Sequence, residues 1–213
     1  VVLITSVIFG FVDPDFGFDL ASLRLVLSLG IALFIVSYVS SWISGAIIKR
    51  AWNVEASIQL QPAALIFAVG GVVLARLLDF SPGFLVGLVI GLEIATRTKE
   101  PYRSRATVVQ LGVLAGVAVV AWIGYSIATA MMPTEPDFGQ ALTVDALSAT
   151  VVEGLTAAAV AILPLGFLEG RELFQHSKKL WLGMFLGLAL LFSLLVLPIA
   201  SNASGPADWL VWG

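Results

Sequence analysis

The chain has 213 residues, 59% of them hydrophobic and only 12% charged, with a mean hydropathy of +1.02. A soluble domain is about one quarter charged, so a water-facing body of this size would lack polar surface. The net charge of −3 offers no basic footprint for nucleic acid, and without cysteine there is neither a disulfide framework nor a thiolate metal site.

Lipid as the solvent removes the difficulty, and the apolar runs read in order as crossing helices, each needing roughly 20 mostly apolar residues. Val1–Val12 is apolar but too short to span alone, and reads as the end of a truncated helix. The chain opens on Val1-Val2-Leu3-Ile4 without an initiator Met, which suggests a piece of a longer protein. Leu20–Ile48 is long enough to tilt. Ile58–Leu78 follows, then the shorter Pro82–Ala95, which Ser81 is placed to cap with Pro82 in its first turn. Thr107–Met132, Ala146–Leu168 and Leu180–Ala200 are long and clean. Residues 169–179 read as a short amphipathic helix along the membrane face, with Leu173 and Phe174 on one side and charges on the other. The expectation is an all-α transmembrane bundle of six or seven helices in a single domain, with no β-sheet.

Lys and Arg give the orientation, because cytoplasmic loops carry their excess. Nine of the eleven fall on one set of connections: Lys49, Arg50, Arg97, Lys99, Arg103, Arg105, Arg171, Lys178 and Lys179. The other set has Arg24 and Arg76 beside Asp13, Asp15, Asp19, Asp79, Glu135, Asp137 and Asp145. This bias emerges only if Pro82–Ala95 is a full crossing. It predicts a multi-pass cell-membrane protein with loops 49–57, 97–106 and 169–179 cytoplasmic. Loops 13–19 and 133–145 and the C-terminus then lie outside.

Small residues at helical spacing let membrane helices approach closely. Gly83, Gly87 and Gly91 form two GxxxG steps, Gly112 and Gly116 another, and Gly183 and Gly187 a third. The first reading of each is packing within the chain; the second is self-association or contact with another membrane subunit.

Ionisable residues at membrane depth are costly and serve by default as functional candidates. Glu153, about two turns inside its span, is the clearest. It is a proton or cation site, an ion-pair partner for a neighbouring helix such as the one bearing Arg76, or a shallow residue near the outer face that water or a hydrogen bond satisfies. Glu93 and Arg76 lie near span boundaries, and Glu169 and Arg171 near the inner end of the sixth segment. His176 is the only histidine, which leaves no set of three zinc ligands and no nucleophilic triad. No catalytic, cofactor-binding or metal residue is expected.

Leu163-Pro164-Leu165-Gly166-Phe167-Leu168-Glu169-Gly170-Arg171 resembles the second signature of site-2-type intramembrane metalloproteases. In that family an acid before a glycine ligates zinc, so the resemblance puts Glu169 at the acid position. The counterpart of the family's HExxH, Tyr38-Val39-Ser40-Ser41-Trp42, keeps none of its ligands. The chain also resembles uncharacterised polytopic segments of actinobacterial surface proteins, through Phe16-Gly17-Phe18, Pro82-Gly83-Phe84 and Pro164 to Leu168. Pro164 with Gly166 and Gly170 further predicts a kink or frayed end near the inner boundary.

Three functions follow as expectations. The first is a non-catalytic membrane domain that anchors or assembles a larger protein. The second is a transporter or channel component with Glu153 as its ion-sensitive residue. The third is a degenerate protease-like protein that binds membrane substrates without cutting them.

Overall fold

A computed structural model describes residues 2–11, 17–53, 56–60, 90–94, 100–165 and 168–203. Arg76, Gly83, Gly87 and most of the expected spans 58–78 and 82–95 lie outside these residues.

The chain begins with α1 (Val2–Gly10) and α2 (Leu20–Leu33). Asp19 caps α2 by accepting from the Ser22 amide at 2.7 Å, which satisfies one of the amide groups a helix start leaves free. The helix then passes without a break through a π segment, Phe34–Val39, into α3 (Ser40–Trp52). Asn53 ends it in the left-handed region, φ 53°, with its amide donating back to Lys49 O; Asn tolerates this conformation better than most residues do.

Two short strands follow, β1 (Ala56–Leu60) and β2 (Ile90–Ile94), paired antiparallel. This corrects the expectation of a chain without β-sheet, and it removes Gly91 and Glu93 from the expected helix Pro82–Ala95. Both segments alternate apolar and small or polar residues, Ala-Ser-Ile-Gln-Leu and Ile-Gly-Leu-Glu-Ile, which is the period of a strand and not of a helix. The register sets Ile58 against Leu92 and Ser57 against Glu93. The register ends with Leu60 beside Ile90.

The remaining helices are α4 (Glu100–Ala130), α5 (Phe138–Ala161), α6 (Gly170–His176) and α7 (Lys178–Ala203). Helix α5 starts eight residues before the expected Ala146, because Asp137 and Gln140 form a reciprocal capping box. It also stops before the expected Leu168. Pro164 disfavours helical backbone at the residue before it, and the chain tightens through Leu163 N–Val160 O and Leu165 N–Leu163 O bonds. The interruption expected there is present.

Among the described residues, four helices are long and apolar enough to cross a membrane: Leu20–Trp52, Ser104–Ala130, Phe138–Ala161 and Lys178–Ile199. Named contacts fix their directions. Arg24 meets Asp145, and Val36 abuts Gly154 further along both helices, so α2 and the π segment run parallel to α5. Gly124 meets Leu147 while Gly154 meets Ala118 and Leu114, so α4 runs antiparallel to α5. Helix α7 does likewise, with Trp181 on Ile162 at one end and Leu195 and Val196 clustered with Val151 and Leu155 at the other. The ends of α3 and α5 and the starts of α4 and α7 therefore share one end of the bundle. Lys49, Arg50, Arg105, Arg171, Lys178 and Lys179 gather there.

Among the described residues the core comprises three apolar clusters. Phe9, Leu29 and Leu33 join α1 to α2, with Ala149 of α5 packed against them. Val36, Leu111, Leu114, Ala158, Ile162 and Leu188 form a second, and Ala118, Val151, Leu155 and Leu195 belong to the third. Gly154 is the close-approach glycine: a Cβ there would lie 3.4 Å from Ala118 Cβ and 3.7 Å from Val36 Cγ2. Gly112, Gly116, Gly183 and Gly187, expected at such contacts, face outward instead, with nothing within 4 Å of an added Cβ. Their spacing predicts a shared helix face but carries no information about which way that face points.

Candidate functional site

The unusual chemistry lies where the π segment meets α5. Two rows of side chains approach each other there. On the first helix, Leu29 and Leu33 pack in the same cluster as Ala149 of α5. One turn further on each parallel helix come Ser37 and Glu153, while Val36 and Gly154, their immediate neighbours, are in contact. The fold thus places a hydroxyl and a carboxyl in the same interface, deep in the bundle.

Glu153 is 4% exposed, and neither carboxylate oxygen has a hydrogen-bond partner. Ser37 is 0% exposed, and its Oγ is also unpartnered. Other buried hydroxyls nearby behave differently. Thr150 donates to Ala146 O at 2.7 Å and Ser40 donates to Val36 O, the usual way a helix absorbs a hydroxyl in an apolar setting. An unpaired ionised carboxylate in such an interior costs several kcal/mol, so Glu153 requires a proton, a cation or another partner. The shallow, solvated reading of Glu153 does not fit its position.

The π segment is part of this arrangement. Its bonds run one residue longer than those of an α-helix, as in Ser40 N to Ile35 O, and such segments are rare and frequently found at functional sites. Phe34 and Tyr38 stack at 5.3 Å on its outward side.

No family model matches the chain, and no curated protein or solved structure is similar to it.

The other candidates are dispersed. Glu93 lies on β2, opposite Ser57 in the register. Arg171 is exposed on α6. Glu169 is partly buried immediately before α6, where loss of water and the Glu172 carboxylate push its carboxyl up to about 7. Its neighbour Gly170 packs directly on the Ile162 carbonyl, where a Cβ would collide with backbone. That carbonyl accepts the Trp181 indole N–H at 2.8 Å, so Ile162 fastens α5, α6 and α7 together. Tyr38 and Trp42 of the protease-like comparison are exposed. No group of three His, Cys, Asp or Glu gathers among the described residues.

Ser37 was absent from the sequence candidates. A lone Ser in an apolar helix is ordinary, and nothing in Phe34–Val39 marks a π segment. The one available signal was the density of hydroxyls in Ser37, Ser40, Ser41 and Ser44.

Proposed function

We propose that this chain is a bilayer-spanning helical domain of an ion-coupled transporter or channel, with Glu153 as its ion-sensitive residue. One observation carries the reading: a carboxyl with no described partner, held in the interior of a helix long and apolar enough to cross a membrane. Intramembrane acids of this kind serve proton relays and ion pathways. The positive-inside rule then sets the end bearing Lys49, Arg50, Arg105, Arg171, Lys178 and Lys179 in the cytoplasm, with Arg24 and Asp145 outside.

The test is flux in proteoliposomes. A proton or sodium gradient imposed across vesicles holding the full chain should drive ion movement that Glu153→Gln abolishes and Glu153→Asp retains in part. Flux that is absent, or indifferent to Glu153→Gln, overturns the reading.

A second reading, a membrane domain that anchors or assembles a larger protein, has its own support. Gly112, Gly116, Gly183 and Gly187 are open on the outside, and α7 presents Leu182, Leu186, Leu190 and Leu194 outward. If these faces hold a second membrane helix, Gly187→Leu should break an oligomer seen by light scattering in detergent and leave the monomer folded. A wild-type chain that is monomeric in detergent and in nanodiscs removes self-association.

A further inference from the structure

Glu153 has different surroundings on its two sides along the bundle axis. Towards the Arg24–Asp145 end lies the apolar cluster of Phe9, Leu29, Leu33 and Ala149. Beyond it Ser6 donates to Val2 O and Ser28 to Leu25 O, as Ser40 does to Val36 O on the other side. Towards the basic end the sequence of the helix changes character. Ser37, Ser40, Ser41 and Ser44 are all buried, at the i, i+3, i+4 and i+7 positions that share one face of a helix.

The antiparallel helix α4 extends that row. Val36 and Leu114 both adjoin Gly154 and so lie at one level. Counting from there in opposite directions brings Ser44 level with the turn that holds Thr107, and Ser104 follows towards the end of the helix. Both are buried. At about 1.5 Å per residue, Ser44 lies ~10 Å from Ser37, and the row finishes among Lys49, Arg50 and Arg105. Six buried hydroxyls thus lie between the level of the carboxyl and one end of the bundle, with the apolar cluster on its other side.

We infer that Ser37, Ser40, Ser41, Ser44, Thr107 and Ser104 form a proton path that connects Glu153 to the basic end of the bundle alone. The inference rests on the reading of Glu153 as a protonatable group and not on transport. A proton is the ligand that this donor set suits. A hydroxyl both donates and accepts, so a row of them passes protons along, whereas hard cations demand about six or more oxygens at once. The packing brings one unpartnered hydroxyl, Ser37, to the level of Glu153 among Leu33, Val36 and Ala149, well short of such a shell. Other charged and titratable groups sit on the elements packed against this region. Arg24 is paired with Asp145, Tyr38 is exposed on the π segment, and Tyr125 lies on the part of α4 beyond Ala118. Arg105, Lys178 and Lys179 are exposed at the bundle end, and Glu93 belongs to β2 beside the π segment.

Infrared spectroscopy of the full chain in lipid, without sodium and at neutral pH, tests this directly. A protonated-carboxyl band should be present that Glu153→Gln removes and Glu153→Asp shifts. On transfer to D2O, the exchange of that band should slow by roughly tenfold in Ser37→Ala and in Ser44→Ala, about the effect of removing one hydrogen-bonding group from a relay. Ser28→Ala, on the side of the apolar cluster, should leave the rate unchanged. Absence of the band, exchange indifferent to Ser37→Ala and Ser44→Ala, or equal slowing by Ser28→Ala overturns the path. A band with the expected exchange in a protein that passes no ions would uphold the path and reject the transport reading, so the two fail separately.

Discussion

Arg24 Nε lies 2.7 Å from Asp145 Oδ2 and ties α2 to α5. The N–H does not point along the contact, so this is an ion pair and not an aligned hydrogen bond. Its structural weight is positional: from this pair the two helices run parallel until Val36 meets Gly154, which sets Glu153 beside the π segment.

The side chains of that pair are 38% and 39% exposed, and pairs of this kind contribute about 0.2–1 kcal/mol. A double-mutant cycle on Arg24→Ala and Asp145→Ala should return a coupling energy in that range, diminished by salt. The charge swap, Arg24→Asp with Asp145→Arg, should recover most of it. A coupling above about 2 kcal/mol would mean that the pair is desolvated in the bilayer.

The glycines divide into two groups that substitution should separate. Gly154→Leu would push α4 and the π segment away from α5, and overpacking of this sort costs about 1–3 kcal/mol or more. Gly170→Ala should be at least as damaging, since its Cβ meets the Ile162 backbone, which cannot move without disturbing the Trp181 bond. Gly112→Ala and Gly183→Ala should stay within about 0.5 kcal/mol in a monomer, as outward substitutions do. Thermal unfolding in detergent measures all four. Equal losses at both groups would reverse the assignment of faces.

Which parts of this fold were legible in the sequence follows from the range of the forces involved. Apolar length marked the four long helices, because lipid acts on each segment separately. Pro164 marked the break after α5 through purely local sterics. The capping box at Asp137 and Gln140 was readable too, yet the hydropathy of Ala146 onward drew the boundary inward. The ribbon was misread because Ile58–Leu78 and Pro82–Ala95 are apolar overall, and average hydropathy hides the period-two alternation in 56–60 and 90–94. Glu153 was visible as an acid in an apolar run, but its lack of a partner depends on Leu33 and Val36, which are distant in sequence. Ser37 gave no sign beyond the nearby density of serines, since only the packing of another helix distinguishes it from any helical serine.

Glu169 should give the protein a pH-dependent stability. Its folded value of about 7 stands above the ordinary 4.5, so the folded chain holds the proton more tightly than the unfolded one. The contribution is fully present below about pH 4.5 and is lost as pH rises to about 7, up to about 3 kcal/mol in all. Unfolding midpoints followed from pH 4.5 to 8 should therefore fall, and Glu169→Gln should flatten that decline. A midpoint that rises over the same interval would place the dominant titration elsewhere.

The last prediction concerns what Glu153 does to the stability of its own helix bundle. A carboxyl buried without a partner opposes folding, because its hydration is lost and nothing replaces it. Residues kept for function often carry such a penalty, and removing them then stabilises the protein at the expense of activity. Glu153→Leu conserves much of the volume and should raise the unfolding midpoint, by an amount corresponding to about 1–3 kcal/mol. Glu153→Ala should gain less, because the cavity it leaves offsets part of the relief. Ser37→Ala should be nearly neutral, since its hydroxyl forms no bond that would be broken. If Glu153→Leu instead destabilises the protein by several kcal/mol, the carboxyl is a structural anchor satisfied from elsewhere in the chain, and its role as an ion site fails with it.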